Sequence, residues 1–329
     1  MGNGFISANV GCATAANTKS PAEFFLHVGG VFNSKIAIRA KGSTAIPQRA
    51  DVPNPFAAVA HIVGTAPNMQ AGTALDLQHG LVHNVTATAK NGGVRVSTTI
   101  YTHRALRSLL VFEVAADFGT QDDAAATVTV GLSRCGGGSI DWSTLSDFNS
   151  SSVASGDGAA RTLVVKYMEE NCDSGHFCPE HVLPSKCGGL GRCNNTAMPQ
   201  RANTEVGIAF EPLPLTVTLT ASQPVRSFIA AIHTSLEPGL SAPGAAATAA
   251  AATLAQHGKS TSASLRQSHE AEWAAEWAGG IEVSGNLTIA STINASLYYI
   301  LSATRPDWPY GLSPGGIARD AYEGHSFCA

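Results

Sequence analysis

Residues 109–114 read Leu109-Leu110-Val111-Phe112-Glu113-Val114, apolar at every position but Glu113. An extended chain through this run would bury side chains on both of its faces, and only a central strand of a sheet covered on both sides provides for that. The flanking sequence is strand-like as well. Val128, Val130 and Leu132 alternate with Thr127 and Thr129, and Leu215, Val217 and Leu219 alternate with Thr216, Thr218 and Thr220. Period two with β-branched partners marks a sheet with one buried face. Further strands are predicted near Phe24–Val28, Ile36–Arg39, Ala57–Val63, Thr73–Leu77, Val94–Tyr101, Arg161–Met168 and Val225–His233, divided by turn clusters such as Asn91-Gly92-Gly93 and Cys135-Gly136-Gly137-Gly138. So many strands with no helix between them predict a mainly β fold, a large antiparallel β-sandwich over residues 1–240.

With 329 residues, 44% of them hydrophobic and 13% charged, the chain can bury a substantial core. A net charge of −4 without a Lys/Arg cluster offers no face to nucleic acid. No apolar run is long enough for a membrane span. The start, MGNGFISANVGCATAANTK, lacks the basic and apolar regions of a signal peptide, and Ile6 breaks the myristoylation pattern.

Residues 171–200 interrupt the strand pattern. Cys172, Cys178, Cys187 and Cys193 stand as C-x5-C-x8-C-x5-C, with His176 and His181 among them. Structural zinc sites use closer pairs, so two disulfides stapling an inserted loop fit better than a metal, and three pairings are open. Disulfides imply an oxidising compartment. Glycosylation triplets at Asn84, Asn149, Asn194, Asn286 and Asn294 lean the same way, towards a secretory, lumenal or extracellular setting, although Asn286 and Asn294 fall at a helix expected to be partly buried.

After residue 240 the period becomes helical. Ser241 can cap and Pro243 suits the first turn of a helix through the alanine run Ala245–Ala255, which ends near Gly258. A second helix is predicted over Ser262–Ala278, with Trp273 and Trp277 on one face as packing anchors and Gly279-Gly280 as its stop. Residues 241–280 thus read as a helical linker. A short strand, Ile281–Val283, precedes a third helix, Leu287–Ala303, whose apolar stripe is Ile293, Leu297, Ile300 and Leu301 and which ends before Pro306.

The last residues gather Trp308, Tyr310, Tyr322 and Phe327 beside Asp307, Arg319, Asp320, Glu323 and His325. Rings that cover the apolar faces of a pyranose, with a few polar groups for its hydroxyls, are what a sugar pocket uses. The order LSPGG (312–316) followed by AYEGHSF (321–327) resembles glycoside hydrolase family 65, the inverting α-glucosidases and phosphorylases. The likeness is to its acid-trehalase-like branch, which acts on glucosyl-containing disaccharide units such as glucosylgalactosyl-hydroxylysine or trehalose. Asn3-Gly4-Phe5-Ile6, Val28-Gly29-Gly30-Val31-Phe32-Asn33 and Ile100-Tyr101-Thr102-His103-Arg104 are similar to steps of the same family's first domain. His103 and Arg104 read as a hydrogen-bonding pair at a strand end, away from the chemistry.

The resemblance implies a sandwich packed on a helical catalytic barrel, so residues 281–329 would be the start of an (α/α)6 barrel. It also implies that His325 and Phe327 contact substrate. The family follows Gly-His-x-Phe with Trp-Asp, whereas Cys328 and Ala329 stand there in this chain. The chain therefore reads as the N-terminal part of such an enzyme, truncated where the barrel begins, and inactive alone. Inverting hydrolysis needs two carboxyl groups roughly 6.5–9.5 Å apart, and the resemblance places both downstream. No catalytic residue, metal ligand or cofactor is expected here. The expected partner is an α-glucoside, with self-association through the exposed 287–303 helix. A carbohydrate- or partner-binding β-sandwich without catalysis is the alternative.

Overall fold

The computed structural model describes residues 1–8, 25–37, 46–64, 70–87, 94–119, 126–134, 140, 142, 145, 148–153, 159–165 and 204–312. The cysteine-rich segment 171–200 and the residues after Leu312 lie outside these. In chain order the strands are β1 (Ile6–Ala8), β2 (Phe25–Val28), β3 (Phe32–Ala37), β4 (Ile46–Arg49), β5 (Val52–Pro53), β6 (Ala58–Ile62), β7 (Gln70–Asp76) and β8 (Leu81–Ala87). They continue with β9 (Arg95–Thr102), β10 (Leu109–Asp117), β11 (Thr127–Arg134), β12 (Phe148–Val153), β13 (Ala159–Val165), β14 (Glu205–Phe210), β15 (Thr216–Thr220) and β16 (Val225–Thr234). Three helices follow, α1 (Ala245–His257), α2 (Ser262–Trp277) and α3 (Leu287–Ala303).

The run 109–114 does occupy the middle of the largest sheet. Eight antiparallel strands stand in the order β12-β13-β14-β16-β10-β9-β8-β7, with Val111 opposite Ile229 on one side and Tyr101 on the other. Leu109 to Val114 are all buried. One face of this sheet meets a second layer: β15-β11-β6 packs against it, and Phe56 stacks on Phe112 at 6.0 Å. The other face meets α1 and α2. Glu113 points to that helical side, where Tyr101 Oη donates to it at 3.1 Å and Arg266 of α2 pairs with it. A buried carboxylate is tolerable because both partners accompany it.

Alternation decides the smaller sheet as expected. Val128 faces Leu219 and Val130 faces Val217 across β11 and β15, all four buried, while the intervening Thr129, Thr216 and Thr218 are exposed. Leu215, read from the same pattern, lies outside the strand and is 85% exposed.

The alanine run of α1 lies flat on β13, β14 and β16 because both surfaces are small. A Cβ built on Gly207 of β14 would come within 2.1–2.2 Å of the Ala246 carbonyl group and the Ala247 nitrogen. No side chain there can move aside, so Gly207→Ala must push the helix off the sheet. We expect a loss of about 2 kcal/mol in urea unfolding, in the middle of the range for overpacking.

Three local expectations differ. Ser241 does not cap α1; Gly244, in the left-handed region at φ 75, is the N-cap, and its N–H donates to Glu205 Oε2 at 2.8 Å. Ile281–Val283 is not a strand, having no ladder partner among the described residues, and Ile281 is 62% exposed. Asn286 and Asn294 are exposed rather than partly buried, since α3 packs through Tyr298, Ser302 and Ala303 and Asn286 caps its N-terminus by accepting from the Ile289 N–H at 3.1 Å. The predicted stripe of α3 is half-buried at Ile293, Leu297 and Leu301 and exposed at Ile300. Among the described residues no helix is long and apolar enough to cross a membrane.

Candidate functional site

The segment leaving α3, Thr304 to Leu312, is the described part of the predicted aromatic loop. Trp308 is not a free platform for a sugar. It is 5% exposed, meets Phe5 edge-to-face at 4.8 Å, and donates from Nε1 to the Gly29 carbonyl at 3.2 Å. Tyr310 lies against it at 5.3 Å. The fit requires the glycine pair: a Cβ on Gly29 would sit 2.3 Å from the Tyr310 carbonyl oxygen, and Gly30 has φ +88. An indole this enclosed works as an anchor that ties the loop to the N-terminal strands.

Arginines bind the same loop from below. Arg107 lies over the rings of Trp308 and Phe5, at 5.1 and 5.4 Å, and its guanidinium spans Asp307 Oδ2 at 3.0 Å and Glu237 Oε2 at 3.1 Å. Arg305 adds a second contact to Asp307 at 2.6 Å. Partial burial pushes the Asp307 carboxyl up, but the hydrogen bond and charge of Arg305, with Arg107 behind it, outweigh that and hold it below the ordinary carboxylate range. Glu237 is balanced in the same way. Desolvation raises it, and the bonds from His233, the Thr234 N–H and Arg107 bring it below its usual value.

Arg104 reaches furthest. Its side chain leaves the end of β9, packs over Trp273 at 5.3 Å, and pairs with Glu276 Oε1 at 2.6 Å. Nη1 donates to the carbonyls of Asn3, Leu301 and Thr304 at 3.0, 2.7 and 3.1 Å. The last two belong to the C-terminal turn of α3 and its cap, where carbonyls lack helical partners and a cation is favoured. Asn3 is fully buried: its amide donates to the His103 and Arg107 carbonyls, and its oxygen accepts from the Phe5 and Ile6 N–H groups.

His103 meets His269 on the buried face of α2, the two rings edge-to-face at 5.4 Å. His103 Nδ1 accepts from the Leu106 N–H and Nε2 donates to the Leu265 carbonyl. His269 Nδ1 accepts from the Arg104 N–H and Nε2 donates to the His79 carbonyl at 2.7 Å. Each ring is thereby held as one neutral tautomer. Burial pushes His103 down to about 4, and burial with the neighbouring His103 pushes His269 down to about 3.

Residues 3–6, 28–31, 100–104 and 305–310, far apart in the chain, therefore meet at one junction between the sandwich and α3. The expectation for His103 and Arg104, a hydrogen-bonding pair at a strand end, agrees with this geometry. Asn3, Arg107, Glu276 and His269 were not singled out as partners by the sequence; the only signal for them was spacing that becomes meaningful once folded. His325, Phe327, Tyr322, Arg319, Asp320 and Glu323 lie outside the described residues, as do Cys172, Cys178, Cys187 and Cys193. Among the described residues no group of three His, Cys, Asp or Glu could hold a metal ion.

No family model matches the chain. By sequence it is 26% identical over 334 residues to the protein-glucosylgalactosylhydroxylysine glucosidase of Dictyostelium discoideum, which covers 99% of this chain and 39% of that protein. It is 24% identical over 314 residues to the protein of the same name from Mus musculus, covering 92% and 38%. Its fold is similar to a solved structure from human microbiome provisionally named kojibiose phosphorylase, with a TM-score of 0.57 at 9% identity over 92% of this chain and 39% of that one. The chain thus spans about two fifths of the length of each of these proteins. The matches bear out the resemblance to glycoside hydrolase family 65, and the sandwich with its helices is a family 65-like fold.

Proposed function

We propose that, in a family 65-like setting, these residues are the sandwich and docking part of an α-glucosidase that removes glucose from a glucosyl-containing disaccharide unit, glucosylgalactosyl-hydroxylysine first among them. The observation that carries this is the junction just described. Arg104, Arg107 and Trp308 fix the end of α3 and the loop after it to the sandwich, and the sequence continues from that loop to His325 and Phe327, the residues whose resemblance implies substrate contact. In this reading α3 is the first helix of the catalytic barrel, and the sandwich gives it a rigid footing.

Four of the chain's carboxylates fit a supporting role. Glu113 is committed to Tyr101 and Arg266, Glu237 to Arg107 and His233, Glu276 to Arg104, and Asp307 to Arg305 and Arg107. None of these four is free to protonate a leaving oxygen or activate water, the two duties inversion assigns to carboxyl groups. With the catalytic carboxyl pair implied by the resemblance to lie downstream, the 329 residues are expected to release neither glucose from glucosylgalactosyl-hydroxylysine or trehalose in water, nor glucose 1-phosphate when phosphate is added. The assay is chromatography of the products, with a cooperative melt in the same buffer to verify folding. Glucose release by the folded chain would place the catalytic pair inside these residues and overturn this division of labour.

A further inference from the structure

A groove of about 690 Å3 runs along α2 beside the turn between β7 and β8. Its polar and aromatic lining comes from Gln78, His79, Arg266, Gln267, Glu270 and Trp277, and three alanines of α2 complete it. The α2 members recur at three- and four-residue steps, so they share one face of the helix. The neighbouring stripe of the same helix, Leu265, His269 and Trp273, is buried. The groove thus flanks that buried stripe, on the side of α2 where Ala263, Gln267, Ala271 and Ala274 are exposed.

Its walls are held in place. Trp277 Nε1 donates to the Gln78 carbonyl at 2.8 Å, which fixes the indole against the turn. His79 is set by Asp76, which accepts from its backbone N–H at 3.1 Å and contacts its Nδ1 at 2.7 Å. Arg266 is taken up by Glu113, so its charge is already balanced. Gln267 and Glu270, by contrast, make no side-chain hydrogen bond to any described residue.

We infer that this groove is a binding site for one or two neutral hexose units of an oligosaccharide. The volume lies within the range of small-ligand sites. An indole beside amides, a carboxylate and an imidazole is the composition that recognises a sugar: the ring covers C–H faces, and the polar groups take hydroxyls as donors and acceptors. An anion is disfavoured, because the Arg266 guanidinium is neutralised by Glu113 and Glu270 has no such partner among the described residues. The site is open, so the sugar exchanges readily, with a Kd on the order of 1 mM. This inference does not depend on the catalytic reading above.

The test uses the full chain with lactose and maltose as probes, read by saturation-transfer NMR and by tryptophan fluorescence. Saturable binding of at least one sugar is expected. Gln267→Ala with Glu270→Ala should weaken it about tenfold, equivalent to about 1.4 kcal/mol, and both side chains reach solvent on α2, so folding is preserved. Thr218→Ala, exposed on β15 in the opposite layer, should leave it unchanged. Absence of saturable binding at millimolar sugar by the folded chain, or binding that the α2 double variant leaves intact, would overturn the assignment.

Discussion

Arg104→Met is expected to destabilise the chain by about 3–5 kcal/mol, the range for breaking a buried ion pair by removing one partner. The side chain is almost wholly buried, and its guanidinium satisfies three backbone carbonyls as well as Glu276. Methionine fills much of the volume but loses the guanidinium that lies over Trp273. It supplies no donor, so the α3 carbonyls and the Glu276 carboxylate lose their partner in a place water reaches poorly. Arg104→Lys should recover part of the loss, since an ammonium keeps the charge but cannot span Glu276 and the end of α3 with one planar fork. Urea unfolding of the three proteins gives the order Arg, Lys, Met. A methionine variant within about 1 kcal/mol of the parent, the scale of an exposed pair, would mean that the junction is not a fixed structure.

The second large effect is on pH. His103 and His269 are neutral in the folded chain, with pKa values of about 4 and about 3, against 6.5 for an unperturbed histidine. Their lowered values mean that, below pH 6.5, the unfolded chain takes up protons that the folded chain refuses. Stability is fully present above pH 6.5, falls as the pH drops, and stops falling from this source once the folded values are passed. Between pH 6.5 and 4.5 the two rings together cost on the order of 4 kcal/mol by linkage. The loss has a structural cause. A proton on either Nδ1 would face the N–H of Leu106 or Arg104, donor against donor.

The groups facing this pair are Tyr101 at 4.5 Å from His269, the Ser268 hydroxyl at 3.1 Å from His103 Nε2, Arg266 of α2, His257 at the end of α1, and the backbone of the β7–β8 turn, none of which supplies a carboxylate to either ring. Asp76, Glu237 and Asp307, all held below their usual values, add their own loss at lower pH. Urea unfolding at the two pH values measures the effect, and His269→Gln, which keeps an acceptor and a donor without titrating, should remove about half of it. Equal stability at pH 6.5 and 4.5 would contradict the neutral, paired state of the rings.

The layers of the fold were legible where one residue pattern has one physical solution. A run apolar on both faces had to lie in a covered central strand, and β10 does. The threonine-valine alternation of β11 and β15 had to have one wet face. The helices were legible from alanine propensity in α1 and from the Pro306 stop after α3. β8 was not, because His83 and Asn84 interrupt its apolar positions. β14 was not either, because Gly207 reads as a breaker, whereas its missing side chain is what lets α1 approach.

The junction was half legible. Arg104 and Trp308 could be singled out, but their roles could not, since Arg104 finds Glu276 and Leu301 at separations of 172 and 197 residues. Local reasoning therefore made Trp308 a sugar platform, because an aromatic ring beside carboxylates looks the same in sequence whether it is buried by Phe5 or open to a ligand.

The most direct measurement is glucose release by a chimera in which residues 1–312 replace the matching segment of the Dictyostelium discoideum relative, assayed on glucosylgalactosyl-hydroxylysine. A folded chimera that releases glucose is expected, with a sharp fall in activity when Arg104→Met is added. A chimera that melts cooperatively yet releases no glucose would contradict the claim that this sandwich and its arginine junction are the footing of a family 65-type glucosidase.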